Sequence, residues 1–187
     1  MDKSVLQRLV SETGAVLGQV YGLSGKDQIV KRLNRYNQSA RRSPWVVLLD
    51  LDRDESCAPA GCRLWLKEPE PNLCFRLVVR AVEAWLLADR EALAKFLRVA
   101  AARVPRNPEQ LDDPKRVVVS LARHSRSRQL RADMVPEPSS GRTTGPRYAQ
   151  RLTEFAEKHW RPAVAAKHAD SLRRCRQRLN ELVEKFS

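Results

Sequence analysis

Cysteines are few in this sequence, and none of them has the spacing of a metal-binding motif. Cys57, Cys62, Cys74 and Cys175 form no C-x-x-C pair and have no histidine at ligand distance, which argues against a zinc site. Long apolar runs are also absent, since none approaches the roughly 20 residues of a membrane span. Residues 1–3 do not begin a signal peptide. The sequence therefore predicts a cytoplasmic protein with free thiols and no membrane partner.

Acidic residues are too few to balance the basic ones. The 187 residues include 35 Lys and Arg against 22 Asp and Glu, which gives a formal charge of +13 and a pI near 10.3. Such an excess points to a polyanionic partner, with nucleic acid as the first candidate. The alternative is an indifferent basic surface, produced by a genome rich in G and C that favours arginine.

A change of composition near residue 104 predicts two parts, an α/β domain over 1–103 and a basic helical extension over 104–187. The densest basic segment lies in the second part. Its Arg123, Arg126, Arg128 and Arg131 are predicted to contact phosphates, together with the serine hydroxyls between them. The predicted last helix, about 170–186, is also rich in arginine, but such a face is usually only solvated.

An apolar run that ends in alternate acids is the central feature of the first part. Residues 45–49 are all apolar, which favours a strand buried on both faces of a parallel sheet. Side chains at i and i+2 of a strand point the same way, so Asp50 and Asp52 would leave its carboxyl end as adjacent carboxylates. A divalent cation would relieve their repulsion, and oxygen ligands favour Mg²⁺ or Mn²⁺. The alternative is that these acids only cap the strand and solvate a turn.

Asp54 adds a third acid, which makes the segment similar to the start of an EF-hand calcium loop. The similarity ends there, because the position that requires glycine is Glu55 and the position that requires glutamate is Gly61. Asp54 is therefore predicted as a further ligand of the Mg²⁺ site.

Two more segments are predicted to reach the same edge of the sheet. A strand predicted at about 15–23 precedes a turn and an amphipathic helix, so Lys26 would contact phosphate at a helix N-terminus, although no P-loop motif is present. The apolar run 73–79 leads into another helix. There Arg80 is predicted to neutralise developing charge, and Glu83 to face the aspartates as a metal ligand or catalytic group. For Glu83 the alternative is an ordinary acid at a helix start.

In their order along the chain, these motifs resemble an uncharacterised family of Toprim-like proteins, similar in layout to the Toprim domains of OLD-family nucleases. The resemblance is carried by residues 46–54 and 80–89, and then by Asp113-Pro114-Lys115-Arg116, Arg126-Ser127-Arg128, Gly145-Pro146 with Tyr148, and Trp160-Arg161-Pro162. It implies a Rossmann-like parallel sheet with a helical C-terminal extension, which binds Mg²⁺ and cuts or transfers phosphodiester bonds. DNA is favoured over RNA as the partner, and the sequence leaves both open. The resemblance also implies an AAA- or ABC-type ATPase partner encoded nearby and a role in defence against phage or mobile DNA.

The chain departs from that pattern at its start. Toprim domains open with a strand that ends in a catalytic Glu, whereas only residues 1–3 precede the first predicted helix, and Glu12 lies within that helix. Without this first strand the sheet would keep an open edge, which favours aggregation. We therefore expect a chain that begins further upstream to be more soluble. The predicted function is a Mg²⁺-dependent, nuclease-like Toprim protein. The alternatives are a catalytically degenerate module that binds nucleic acid or docks on an ATPase, and a basic α/β scaffold.

Overall fold

The computed structural model describes residues 1–21, 25–51 and 65–186. Within them the chain is a mixed α/β protein with a parallel sheet of two strands. Strand β1 spans Trp45–Asp50 and β2 spans Leu73–Val78, with Trp45 opposite Leu73 and Asp50 opposite Val78. This confirms both strands that the apolar runs predict, and their parallel pairing.

Helices make up most of the rest of the described chain. They are α1 (Asp2–Ser11), α2 (Lys26–Ser39), α3 (Val82–Ala88), α4 (Arg90–Leu97), α5 (Pro114–Arg123), α6 (Arg128–Met134), α7 (Tyr148–Lys158), α8 (Pro162–Ala165) and α9 (Asp170–Glu184). Short 3-10 turns lie at Ala101–Arg103, Pro108–Gln110 and Pro138–Ser140. Helix α3 is central, because all 7 of its residues are buried. None of the described helices combines the length and the apolar character needed to cross a membrane.

Alternate residues of the strands face two separate apolar clusters. Val47, Leu49 and Phe75 belong to the smaller cluster, where Leu33 of α2 joins them. Residues on the other face of β2, such as Cys74, belong to the larger cluster. The sheet is therefore covered on both faces, as parallel strands require.

The larger cluster combines both predicted parts of the chain. Val5 of α1 and Trp85 of α3 belong to it, and so do Phe155 of α7 and Leu172 of α9. The boundary near residue 104 stays a prediction, and residues from both of its sides share one buried core.

The strand predicted at about 15–23 is wrong for the part that the structure describes. Residues 15–21 have no regular secondary structure, and Val16 is 93% exposed. β-Branched residues favour an extended backbone, but a strand also needs a partner for its N–H and C=O groups. No strand among the described residues pairs with this segment.

In the sequence, Asp89 before an amphipathic segment and Asp113 before Pro114 each predict the start of a helix. The structure confirms both starts. Asp89 accepts a hydrogen bond from the Ala92 N–H at 3.4 Å, and Asp113 accepts one from the Arg116 N–H at 2.8 Å. Both carboxylates satisfy backbone donors that the first turn of a helix leaves without partners. Local sequence is thus sufficient to place the N-termini of α4 and α5.

The free thiols are confirmed where the structure describes them. Cys74 and Cys175 are both buried and neither forms a disulfide, whereas Cys57 and Cys62 lie outside the described residues.

The segment that precedes α7 packs tightly against the end of α6. The Gly145 N–H donates to the Met134 carbonyl at 3.0 Å, and the Arg147 N–H donates to the Asp133 carbonyl at 2.8 Å. A Cβ atom at Gly145 would lie 2.5 Å from the Met134 carbonyl carbon and 2.6 Å from the Asp133 oxygen. These neighbours are backbone atoms, so they cannot move aside as a flexible side chain can.

We predict that Gly145→Ala lowers the free energy of unfolding by about 1–3 kcal/mol, the usual cost of forcing extra volume into a packed region. Urea denaturation of the variant and the wild type measures the difference. Gly18→Ala is the matched control, because no atom lies within 4 Å of a Cβ at that position. Equal losses in the two variants would contradict the packing argument.

Candidate functional site

Asp50 is the last residue of β1, at the carboxyl end of the sheet, where the sequence places it. It is half-buried, and its Oδ1 accepts a hydrogen bond at 3.2 Å from the N–H of Val82, the first residue of α3. The carboxylate thus connects the end of the strand to the start of the helix that follows β2. This contact is a structural role of the kind left open as the alternative for this residue.

A cavity of about 890 Å³ extends along β1. Every residue of β1 contributes to its wall, whereas β2 contributes only Val78, so the cavity lies along the edge of β1 that faces away from β2. Helix α1, residues 14–21 and the end of α9 complete most of the wall. Among the described residues no strand pairs with this edge, so β1 is left with an open side.

Lys26 and Asp50 both line this cavity. Lys26 is the first residue of α2, as predicted, and follows Gly25, whose φ of 93° suits glycine. Its Nζ lies 5.1 Å from the ring centroid of Trp65, a cation–π distance. The structure therefore brings these two predicted site residues into one space.

Glu83 does not share that space, because its side chain is buried beneath α7. The residue is only 1% exposed, and its Oε1 accepts a hydrogen bond from the Tyr148 hydroxyl at 3.3 Å. Burial raises the pKa of the Glu83 carboxyl, and the hydrogen bond from its own backbone N–H, the charge of Lys115 and the Tyr148 contact offset this only in part. Burial therefore disfavours the charged form of Glu83 in the absence of a cation, and Glu83 does not line the cavity that contains Asp50. Its metal and catalytic roles stay predictions.

The remaining predicted site residues are less well defined. Asp52 and Asp54 lie outside the described residues, and Arg80 is half-buried between β2 and α3. In the described ranges no three acidic, histidine or cysteine side chains come together as a metal site. Because Mg²⁺ often takes only one or two protein carboxylates, Asp50 fits as a single ligand.

The predicted nucleic-acid contacts lie where α5 ends and α6 begins. Arg123, Arg126, Arg128 and Arg131 are all exposed. None of them forms an ion pair with another described residue, although Arg131 donates to the Ser125 carbonyl. Their guanidinium groups are therefore presented to solvent by the ends of two helices.

The hydroxyls of Ser125 and Ser127 in this segment accept hydrogen bonds from backbone N–H groups of the protein. The buried Ser125 hydroxyl accepts from the Ser127 N–H at 3.1 Å. The Ser127 hydroxyl caps α6 by accepting from the Leu130 N–H at 3.3 Å. The predicted share of the serine hydroxyls in phosphate binding is thus weakened, and the arginines remain.

Arg98 belongs to the same surface, although no motif in the sequence indicates it. It ends α4 with a left-handed backbone, φ 55°, and its carbonyl accepts from the Arg126 N–H at 3.3 Å. Arg98 is exposed and forms no ion pair with a described residue. We call Arg98, Arg123, Arg126, Arg128 and Arg131 the arginine corner.

Arginines of the last helix differ from those of the arginine corner. Arg173 and Arg174 both pair with Asp170, the latter at 2.6 Å. Arg176 pairs at 3.1 Å with Glu12, the residue that follows α1. Each of these guanidinium groups has a carboxylate of the same chain beside it, so α9 presents less free positive charge than its sequence indicates.

Comparison of the chain with protein-family models, with curated proteins and with solved structures gives no significant match.

The burial of Glu83 predicts a pH-dependent stability. Since its folded-state pKa is raised, the folded protein holds this proton more tightly than the unfolded chain does. Its contribution is therefore fully present below the ordinary pKa of about 4.3 and is lost as the pH rises through the raised pKa. Between pH values of about 4 and about 7, we expect the melting temperature of the wild type to fall relative to that of Glu83→Gln.

Exposed Glu137 supplies the control for that comparison, because Glu137→Gln removes one carboxylate without removing a buried contact. Repeating the series with Mg²⁺ tests the metal role directly. If the ion stabilises the wild type and the effect disappears only in Glu83→Gln, then Glu83 is a metal ligand after all and the burial argument fails.

Proposed function

We propose that this chain is a nucleic-acid-binding α/β module whose arginine corner contacts the phosphate backbone. The observation that supports the proposal is the set of exposed guanidinium groups that form no ion pair with a described residue. No carboxylate among the described residues pairs with these charges, and a phosphate oxygen is a strong acceptor for them. The formal charge of +13 acts in the same direction.

The same proposal includes a Rossmann-like, Toprim-like sheet of the degenerate kind. Its support is the parallel pair of strands with Asp50 at the carboxyl end, together with the buried position of Glu83. An AAA- or ABC-type ATPase partner and a role in defence against phage or mobile DNA follow only from the resemblance in sequence. They belong to the proposal as the setting in which such a module would act.

We predict that Arg126→Ala combined with Arg128→Ala weakens binding to all nucleic-acid sequences alike. If each side chain makes one phosphate contact, the slope of log affinity against log salt should fall by about 2. Fluorescence anisotropy with a labelled DNA, from about 50 to about 200 mM salt, measures both quantities.

Arg173→Ala combined with Arg174→Ala is the matched control, since both side chains already pair with Asp170. It removes the same formal charge but should change the salt slope much less. Equal effects of the two double variants would show that net charge alone determines binding, and would remove the arginine corner from the proposal.

A second candidate function is Mg²⁺-dependent phosphodiester cleavage, favoured by the presence of Asp50 and Lys26 in the wall of the same cavity. Asp50, with Asp52 and Asp54 from outside the described residues, would hold the ion. A bound Mg²⁺ supplies Lewis-acid stabilisation to a phosphoryl oxygen. Lys26 and Arg80 would add positive charge for the leaving oxygen.

We predict that Mg²⁺ or Mn²⁺ raises the melting temperature of the wild type by mass action, if this site exists, and that Asp50→Asn abolishes the increase. Asparagine keeps an oxygen that can accept from the Val82 N–H, so the variant removes the charge but preserves the helix contact. Differential scanning fluorimetry provides the measurement. A metal effect of the same size in both proteins would rule out Asp50 as a ligand.

A further inference from the structure

Resting on the proposed nucleic-acid binding, we propose that Arg98 completes the arginine corner as a rigid face for the backbone of double-stranded rather than single-stranded nucleic acid. The surface combines the C-terminus of α4 with the junction between α5 and α6. Its members come from parts of the chain that are distant in sequence, and the hydrogen bond from the Arg126 N–H to the Arg98 carbonyl joins those parts.

The backbone of Arg98 gives the first argument for a role in binding. A left-handed residue just after a helix is usually glycine, because other side chains are strained in this conformation. Here the position holds an arginine with a φ of 55°. Its side chain is exposed and forms no ion pair with a described residue, so the fold gains no ion pair from it. The left-handed backbone itself ends α4, since the Val99 N–H donates to the Ala94 carbonyl at 3.0 Å. Glycine would meet that requirement without strain, so the feature that arginine adds here is an exposed positive charge.

The second argument is rigidity, because residues next to the corner arginines in the sequence are buried in the core. Leu97, immediately before Arg98, is fully buried, and so is Ala122, immediately before Arg123. Leu130, between Arg128 and Arg131, is also buried. The core therefore fixes the backbone positions from which the guanidinium groups extend. A fixed set of charges of this kind cannot follow the changing shape of a flexible single-stranded nucleic acid.

The chemistry of the corner then favours a duplex over a single strand. Proteins that bind single strands stack successive bases on aromatic side chains. Residues 97–104 and 114–134 contain no Phe, Tyr or Trp, and the nearby Phe96 is half-buried, with its ring 5.3 Å from that of Phe155. B-DNA carries about one negative charge per 1.7 Å of helix axis, roughly twice the density of one strand. A positive face without Phe, Tyr or Trp in these ranges therefore gains more from a duplex, which presents more phosphates than a single strand.

The test compares a labelled DNA duplex with its two separated strands, by anisotropy over a series of salt concentrations. We expect the wild type to bind the duplex at least about tenfold more tightly and with the steeper salt dependence. Arg98→Gly should weaken duplex binding about three- to tenfold and lower the salt slope by about 1. Glycine suits the left-handed backbone, so the melting temperature of this variant should stay constant or rise.

Each outcome bears on one of the two proposals. If neither DNA binds, the proposed function fails. If the single strands bind as tightly as the duplex, or Arg98→Gly leaves duplex affinity unchanged at full stability, the function stands and this inference is overturned. Arg98→Lys serves as the charge-preserving control and should restore most of the salt slope.

Discussion

The helical part of this protein depends on one buried carboxylate, that of Asp89, which is fully inaccessible to solvent. Arg161 donates to it from its backbone N–H at 2.9 Å and from its guanidinium group at 2.7 and 3.0 Å, and the Ala92 N–H adds a fourth hydrogen bond. Burying a charge is tolerable only with partners of this kind, and removing one of them leaves the charge uncompensated. The pair connects the start of α4 to the turn between α7 and α8. Because Arg98 ends α4, the position of the arginine corner depends on this connection.

Helix α3 connects the sheet to the same core through a second polar junction. The Trp85 indole N–H donates to the Ser171 hydroxyl at 2.8 Å, and that hydroxyl donates to Glu109. Glu109 also accepts from the Ser171 N–H at 3.0 Å and so satisfies the start of α9. The Trp160 indole N–H donates to the Trp85 carbonyl at 3.2 Å. The segment 80–89 carries much of the resemblance in sequence. Its buried Trp85 and Asp89 form hydrogen bonds that stabilise the fold.

Local patterns predicted what depends on local structure. The apolar runs predict β1 and β2, since a continuous apolar run is a local signal of a buried strand. The aspartates before α4 and α5 predict the starts of these helices, because each accepts from the N–H three residues further on. The failures depend on distant contacts. No residue near 15–21 in the sequence indicates that this segment has no strand partner in the part of the chain that the structure describes. The burial of Glu83 depends on Tyr148, 65 residues away in sequence. The place of Arg98 in the arginine corner depends on a backbone contact with Arg126, which no spacing rule contains.

The two kinds of candidate residue differ in what the fold gains from them. Asp50 contacts the start of α3, and Glu83 lies beneath α7 with a raised pKa, so both acids have structural roles that account for their presence. Arginine side chains of the corner form no ion pair within the described chain, and neighbouring like charges repel each other. Keeping them together costs stability unless a polyanion occupies the face. This difference, more than the total charge, is why backbone binding is a better account of the described residues than catalysis at the end of the sheet.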